Sequence, residues 1–408
     1  MKKTLILIIS LLLISTSCSK NIDNMRGEVL EFPRDYSIPL VEDETIETRA
    51  IWISYLDYSK TLSMLSENDF KAKIQSMFSE INSFGFNTVI FQVRSHSDSF
   101  YDSELFPTSA LVSGTLGKKA DFDPLKIAVE TAHSIGLEIE AWINPLRAHT
   151  DSETKTLDDD SIFKNWLNDE SKKGRNIVLV GDRWYYNPAI PEVRDLIASG
   201  VREICENYDV DGIHIDDYFY PTTDESFDET CFKEMGGELS LEDFRRNSVN
   251  LMVKEIYSAI KSVDDEIVFG ISPQGNISNC LNKCYADVYT WCKSDGYADY
   301  IAPQLYYSFK QSFLPFDKAI AEWQQLELRE GLNIYIGLAG YKLAGKYSYS
   351  TEEERLDWSE NRDMLSRQVL SSREQNRYNG FIVFSYGSLF IDNDKEVEKE
   401  KENLKKIL

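Results

Sequence analysis

Eight strand-length apolar runs, each separated from the next by a longer amphipathic stretch, constrain this chain more than any other feature. The runs are Ala50–Tyr55, Thr88–Val93, Glu138–Asn144, Gly212–Asp216, Ile267–Ser272, Tyr300–Tyr306, Asn333–Leu338 and Gly380–Ser385. Helical patterns between them cover Asn68–Phe84, Pro124–Ser134, Pro191–Tyr208, Leu241–Ser262 and Trp358–Arg373. Pro124 and Pro191 suit a first helical turn, where a missing N–H costs nothing. Strands alternating with helices predict a parallel α/β fold, and eight is the number that closes a (β/α)8 barrel. A doubly wound open sheet would need a glycine-rich phosphate turn after an early strand, and none is present. The expectation is a single TIM-type barrel over residues 48–408. Arg147 to Asn187 is too long for an ordinary barrel loop. Within it, Asn176–Val180 and Arg183–Tyr186 flank Gly181-Asp182 as a hairpin. The third strand is therefore followed by a long insertion, a cleft wall that would turn Trp184, Tyr185 and Tyr186 toward the rim.

Side chains alternate along a strand, so each strand end can be read for what it sends into the barrel. In "VDGIHIDDYFYP", Ile213 and Ile215 share the face that meets the helices. His214 and Asp216 then point inward, with Asp216 at the C-terminal rim, where barrel chemistry sits. Asp217 opens the loop above it. The same parity brings Gln92 and Arg94, continuing toward His96 and Asp98, from the second strand. It brings Glu140, Trp142 and Asn144 from the third and Gln304 and Tyr306 from the sixth. Carboxylates and amides hold hydroxyls, and aromatic faces stack on sugar C–H surfaces, so this mouth reads as a sugar subsite. Tyr218, Phe219 and Tyr220 would cover the acids. Each residue has an ordinary alternative: His214 as a satisfied interior histidine, Glu140 as a partner of Arg94, Asp217 as a turn cap, the aromatics as loop core. Asp216 is the exception, because an inward carboxylate is costly to bury without purpose.

Composition excludes some partners. The formal net charge of −24 argues against nucleic acid, which needs a basic footprint. Four histidines are too few and too scattered to favour a metal centre, so no metal and no cofactor are expected. Five cysteines follow Cys18 (Cys205, Cys231, Cys280, Cys284 and Cys292), and they read as buried thiols or one disulfide. The first residues, a basic Met1-Lys2-Lys3, an apolar Leu5–Ile14 and Ser15-Thr16-Ser17 before Cys18, read as a lipoprotein export signal over 1–17. Cys18 would carry the lipid, residues 18–47 would form a flexible tether, and the protein would face the periplasm or the cell surface on a membrane. The lack of a dense acidic stretch after Cys18 favours the periplasmic side.

Six stretches, "FQVRSHSDSFYDSELFP", "EAWINP", "NPAIPEVRD", "DGIHIDDYFYP", "ISPQGN" and "APQLYYSF", resemble the glycosyl hydrolase-like 10 family, and the likeness runs from about Arg49 to Phe390. The resemblance implies a barrel, often lipid-anchored, acting as a glycoside hydrolase on bacterial cell-wall glycan. It carries a site onto Arg94, Asp98, Asn144, Asp216, Asp217, Gln304 and Tyr306. His96 and the segment after "ISP" depart from the pattern. "GIHID" is also similar to the fourth strand of the alpha-amylase family, with His214 in place of its arginine and Asp216 at its nucleophile. Yet the fifth strand ends "GISPQ", without that family's acid. Tyr218 stands where the chitinase family places its catalytic glutamate.

Glycoside hydrolysis needs one protonated carboxyl and one ionised carboxylate. Asp216 is assigned the ionised role; Asp217, Asp98 and Glu140 remain open as the acid. Two other readings stand beside this one. The first is a glycan-binding lipoprotein on a barrel without turnover, supported by the missing acid on the fifth strand. The second is a metal-dependent hydrolase or deacetylase using Asp216, Asp217, His214 and Asp98.

Overall fold

The structure, a computed structural model, describes residues 46–345, 347, 351–391 and 394–408. The export signal, Cys18 and the tether up to residue 45 lie outside the described residues. Eight parallel strands close into a barrel: β1 (Thr48–Ile53), β2 (Thr88–Arg94), β3 (Glu138–Ile143), β4 (Gly212–Ile215), β5 (Val268–Ile271), β6 (Tyr300–Ile301), β7 (Asn333–Ala339) and β8 (Tyr378–Phe384). They follow one another around the ring in chain order, and β8 closes onto β1. The TIM-type barrel expected from the alternation is the fold.

Four of the expected helices form within one residue of their expected bounds, as Glu67–Phe84, Pro124–Ser134, Pro191–Asn207 and Leu241–Val263. Ser66, Asp123 and Ser240 start three of them by accepting from the backbone N–H groups of Asp69, Lys126 and Asp243. The expected helix Trp358–Arg373 is instead two, Glu352–Glu360 and Met364–Arg373. Asn361 between them is extended, and its side chain donates to the Asp357 carbonyl, a local bond that competes with the helix. β6 is also shorter than its apolar run, because Pro303 brings no N–H to the ladder. Beyond it, pairing resumes only as single bridges joining Gln304 to Gln274 and to Gly337.

Two apolar layers hold the barrel. Residues such as Ile51, Phe91, Ile213 and Ile271 pack outward beneath the helices, while Trp52, Ile90, Trp142, Tyr300 and Ile382 fill the interior. Rings inside a barrel need bare backbone opposite. A Cβ on Gly270 would sit 1.9 Å from Tyr300 Cζ, and one on Gly212 would sit 2.8 Å from Glu140 Cγ.

The insertion after β3 carries its own antiparallel sheet from Arg147–Thr150, Ile177–Val180 and Arg183–Tyr186, with the expected hairpin about Gly181. Two of its three named aromatics do not line the rim as expected. Trp184 and Tyr186 are 5% and 2% exposed and pack on Phe163, with Trp166 edge-on to Tyr186. Four large rings and one thin sheet have no other apolar face to cover, so the rings turn into the insertion. Trp184 Nε1 donates to Asp151 Oδ1 at 3.3 Å. Trp184→Phe should therefore cost about 1–2 kcal/mol of stability through lost volume and that bond. Glycan affinity should not change. Denaturant unfolding and a binding isotherm read the two effects, and weaker binding at unchanged stability would return Trp184 to the cleft wall. All five cysteines after Cys18 are buried free thiols, with no disulfide.

Candidate active site

The barrel interior is stacked in two polar levels. The lower one begins at Trp52, whose Nε1 donates to His214 Nε2 at 3.2 Å. An indole N–H is a donor only, so His214 Nε2 accepts and its Nδ1 carries the proton. Nδ1–H then meets the Tyr300 hydroxyl at 2.7 Å, and that hydroxyl donates to Glu140 Oε2 at 2.5 Å. Burial holds His214 neutral, down to about 3, and pushes Glu140 up to about 8 against the pull of the Tyr300 hydrogen bond. His214 is 0% exposed. The expectation that His214 and Glu140 face substrate is corrected: they form a hydrogen-bonded plug beneath the mouth. With both ring nitrogens engaged, His214 is also removed from the proposed metal set. Trp142 lies edge-on to His214 and Phe384 as part of the mouth's floor.

Arg94 is a second correction. The β2–β3 register shifts between Gln92 and Arg94, which breaks the alternation that parity relied on. Its guanidinium turns outward over the Phe106 ring, 4.2 Å from the centroid, and a Cβ on helical Gly200 would lie 2.3 Å from Nη1. It does not pair with Glu140. Asp98 is buried in the loop after β2, where it accepts from the His96 N–H at 3.0 Å and from Ser109, and burial raises its pKa. That is the geometry of a loop brace.

The upper level is a relay of amides. The Tyr55 N–H donates to Gln92 Oε1 at 2.7 Å, so Gln92 Nε2 must face Asn144 Oδ1, at 2.5 Å. Asn144 Nδ2 is thereby aimed at Asp216 Oδ1, at 2.6 Å, where the Tyr218 N–H also donates at 3.2 Å. Asp217 leans the other way. Its Oδ1 accepts from Gln304 Nε2 at 3.2 Å, and its carboxyl also accepts from the Gln274 side chain. Gln304 is held in turn by the Ser272 carbonyl at 3.1 Å. The two carboxyls thus sit at one strand end but are gripped from opposite sides of the mouth, β2–β3 and β5–β6. Burial raises the pKa of both, and in Asp216 the charge of Asp217 adds to it.

The mouth's walls are aromatic. Tyr306 lies beside Phe384 and edge-on to Tyr341. Tyr218 is 48% exposed, with its ring under the Arg147 guanidinium at 4.4 Å. Tyr55 borders the same guanidinium and the His96 ring. Phe219 and Tyr220, expected as cover for the acids, turn away: Phe219 packs on Trp291, and Tyr220 on Phe227 and Tyr285.

The model of the glycosyl hydrolase-like 10 family matches residues 47–353. The chain belongs to that family. It is 31% identical to glycosyl hydrolase YngK of Bacillus subtilis (strain 168) over 372 residues, covering 84% of this chain and 69% of that protein. It is 31% identical to glycosyl hydrolase DigH of Escherichia coli (strain K12) over 323 residues, covering 72% of this chain and 73% of that one. Among solved structures, the glycoside hydrolase domain of PgaB (BpsB) from Bordetella bronchiseptica superposes with a TM-score of 0.55 at 10% identity, over 88% of this chain and 99% of that one. The endo-1,4-beta-mannanase of Rhizomucor miehei gives 0.53 at 12%, over 89% and 94%. At those identities the likeness shows the barrel alone.

Within this glycosyl hydrolase-like 10 barrel, Asn144, Asp216, Asp217, Tyr218, Gln304 and Tyr306 are brought to one mouth. Arg94, Asp98, Glu140 and His214 are not. Arg147, Tyr55, Gln274 and Tyr341 complete the mouth and were not singled out from sequence. For Arg147 the available signal was its place three residues after Asn144, where the insertion leaves the rim.

Proposed function

We propose that the protein hydrolyses glycosidic bonds of a polysaccharide, with bacterial cell-wall glycan as the first substrate class, through Asp216 and Asp217. One observation carries this reading: two buried carboxyls at one strand end, gripped by separate amides. Two buried carboxyls, one raised by the charge of the other, share a single proton between their two ionisations, which is the state a glycosidase needs. The 2.6 Å bond from Asn144 Nδ2 and the Tyr218 N–H favour the ionised form on Asp216, against the longer 3.2 Å bond from Gln304 and the Gln274 side chain on Asp217. Asp217 is then the acid. It gives its proton to the departing oxygen while Asp216 stabilises the positive charge developing on the sugar carbon; water then adds to that carbon and leaves a proton on the carboxyl pair. Asn144, Gln304, Tyr218, Tyr306 and Trp142 would hold and stack the sugar.

The test is a panel of cell-wall and plant glycans incubated with the purified protein, with new reducing ends read by mass spectrometry. Chelator-insensitive release supports the proposal. Tight binding with no release would make this a glycan-binding barrel. That reading draws on β5, after which the chain delivers Ser272 and Gln274 but no acid. The sequence "LLISTSC" further supports a lipid anchor on Cys18, and the lack of a dense acidic stretch after it favours the periplasmic face. Cys18→Ala should release an active, soluble exported protein on membrane fractionation, and full membrane retention would refute the anchor.

A further inference from the structure

Arg147 opens the insertion's first strand, paired with Tyr185, and stands at the β3 side of the mouth. No carboxylate among the described residues lies within ion-pair distance of it, in a chain with 68 acids and 44 bases. It is seated on rings instead, 4.4 Å from the Tyr218 centroid and 5.9 Å from that of Tyr55. Tyr218 directly follows the carboxyl pair, so this seat fixes the guanidinium relative to both acids. We propose that Arg147 is the positioning residue for the carboxyl pair, and that the insertion serves to carry this one cation to Asp216 and Asp217.

The neighbours leave no other candidate. His214 below is neutral and bonded at both nitrogens. His96, beside Tyr55, is held neutral by burial and by Arg147 itself. Burial raises Tyr218 and Tyr306, so both rings face the pair uncharged. It also raises the Cys280 and Cys284 thiols beside Asp217, Cys284 to about 12. Lys342, across the mouth, donates to the Tyr306 carbonyl at 2.8 Å and lies 3.7 Å from Glu354. Arg147 is the positive charge that lowers both Asp216 and Asp217. A guanidinium on aromatic faces keeps its charge without neutralising either acid by contact, so it favours one ionised carboxylate without locking the pair's shared proton out.

The role rests on the catalytic reading of the pair, but its first test needs no turnover. Protonated carboxyls are activated by a water-soluble carbodiimide and trapped with glycine ethyl ester. Labelling of Asp216 and Asp217 in the full-length protein is followed against pH by peptide mass spectrometry. Asp209, whose side chain is 95% exposed, is the internal reference. In Arg147→Gln the midpoint of the pair should rise by about one pH unit, because the ionised state loses its nearest cation. Arg147→Lys should stay close to the parent. Tyr218→Leu, which removes the seat and leaves the charge, should shift in the same direction as Arg147→Gln by less. An unmoved midpoint in folded Arg147→Gln overturns the proposal. On any glycan the parent cleaves, the acid limb of kcat should move with the labelling midpoint. A rise in KM with the limb unmoved would make Arg147 a substrate contact and would also overturn it. If no glycan is cleaved but the midpoint moves, the positioning role stands and the hydrolase reading fails.

Discussion

Asp216→Asn is expected to lower kcat by about a hundred- to a thousandfold while leaving fold and ground-state glycan affinity nearly intact. The amide keeps the size of the carboxylate and an oxygen for the Asn144 and Tyr218 donors. What it loses is the negative charge that stabilises the developing oxocarbenium ion, and inside a dry barrel mouth that charge is poorly replaced by water. The same variant makes a second, independent prediction. Burial and Asp217 raise Asp216 above its ordinary value of 3.8 in the fold. The folded state therefore holds its proton more tightly than the unfolded chain, and ionising Asp216 weakens the fold as pH rises from that ordinary value through the raised one. A neutral amide removes this penalty. Asp216→Asn should match the parent below about pH 3.8 and be the more stable protein at neutral pH. Thermal unfolding at two pH values reads this, alongside kcat on one validated substrate. Turnover within tenfold of the parent would place the catalytic centre elsewhere.

What could be read from sequence was what depends on local regularity. β4 is an uninterrupted strand, so alternation along Gly212–Asp216 puts Asp216 at the rim, and Asn144 follows in the same way from β3. Three residues escape that regularity. The shifted register between Gln92 and Arg94 turned Arg94 outward onto Phe106. Depth along a strand also matters: His214 shares Asp216's face but sits one level lower, where Trp52 and Tyr300 consume its hydrogen bonds. Parity gives the face of a residue and says nothing of what will cover it. Arg147 lies past the end of β3, and its place is set by pairing with Tyr185, thirty-eight residues on. Aromatic content misled for a related reason. Trp184 and Tyr186 looked available for sugar, but a small inserted sheet needs its own core before it can offer rings to a ligand.

The plug also bears on the role proposed for the pair. Trp52, His214, Tyr300 and Glu140 close the barrel below the acids with every ring nitrogen and hydroxyl of the line bonded. Asp216 therefore meets a dry, packed floor, which raises its pKa, while the amides of Asn144 and Gln304 supply directional bonds that a water-filled pore could not hold fixed.

Asp217→Asn should lower kcat on a natural glycan about as much as Asp216→Asn does, and for a different reason. Burial raises its carboxyl, and Gln304 donates to it at 3.2 Å against 2.6 Å from Asn144 to Asp216, so in the proposed assignment Asp217 keeps the shared proton and gives it to the leaving oxygen. An amide cannot give that proton. A leaving group that needs no proton, such as an activated aryl alcohol, should recover most of the lost rate in Asp217→Asn and none of it in Asp216→Asn. The pH profile should change in one limb. Loss of the acid abolishes the fall in rate at high pH. Asp217 is neutral when Asp216 ionises, so replacing it with a neutral amide should leave the fall at low pH close to its parental place. Comparing kcat and its pH profile for both variants on a natural and an activated substrate separates the roles. If the activated substrate rescues Asp216→Asn instead, the two assignments are reversed. If it rescues neither, Asp217 serves to hold the sugar and the acid must come from another group at the mouth.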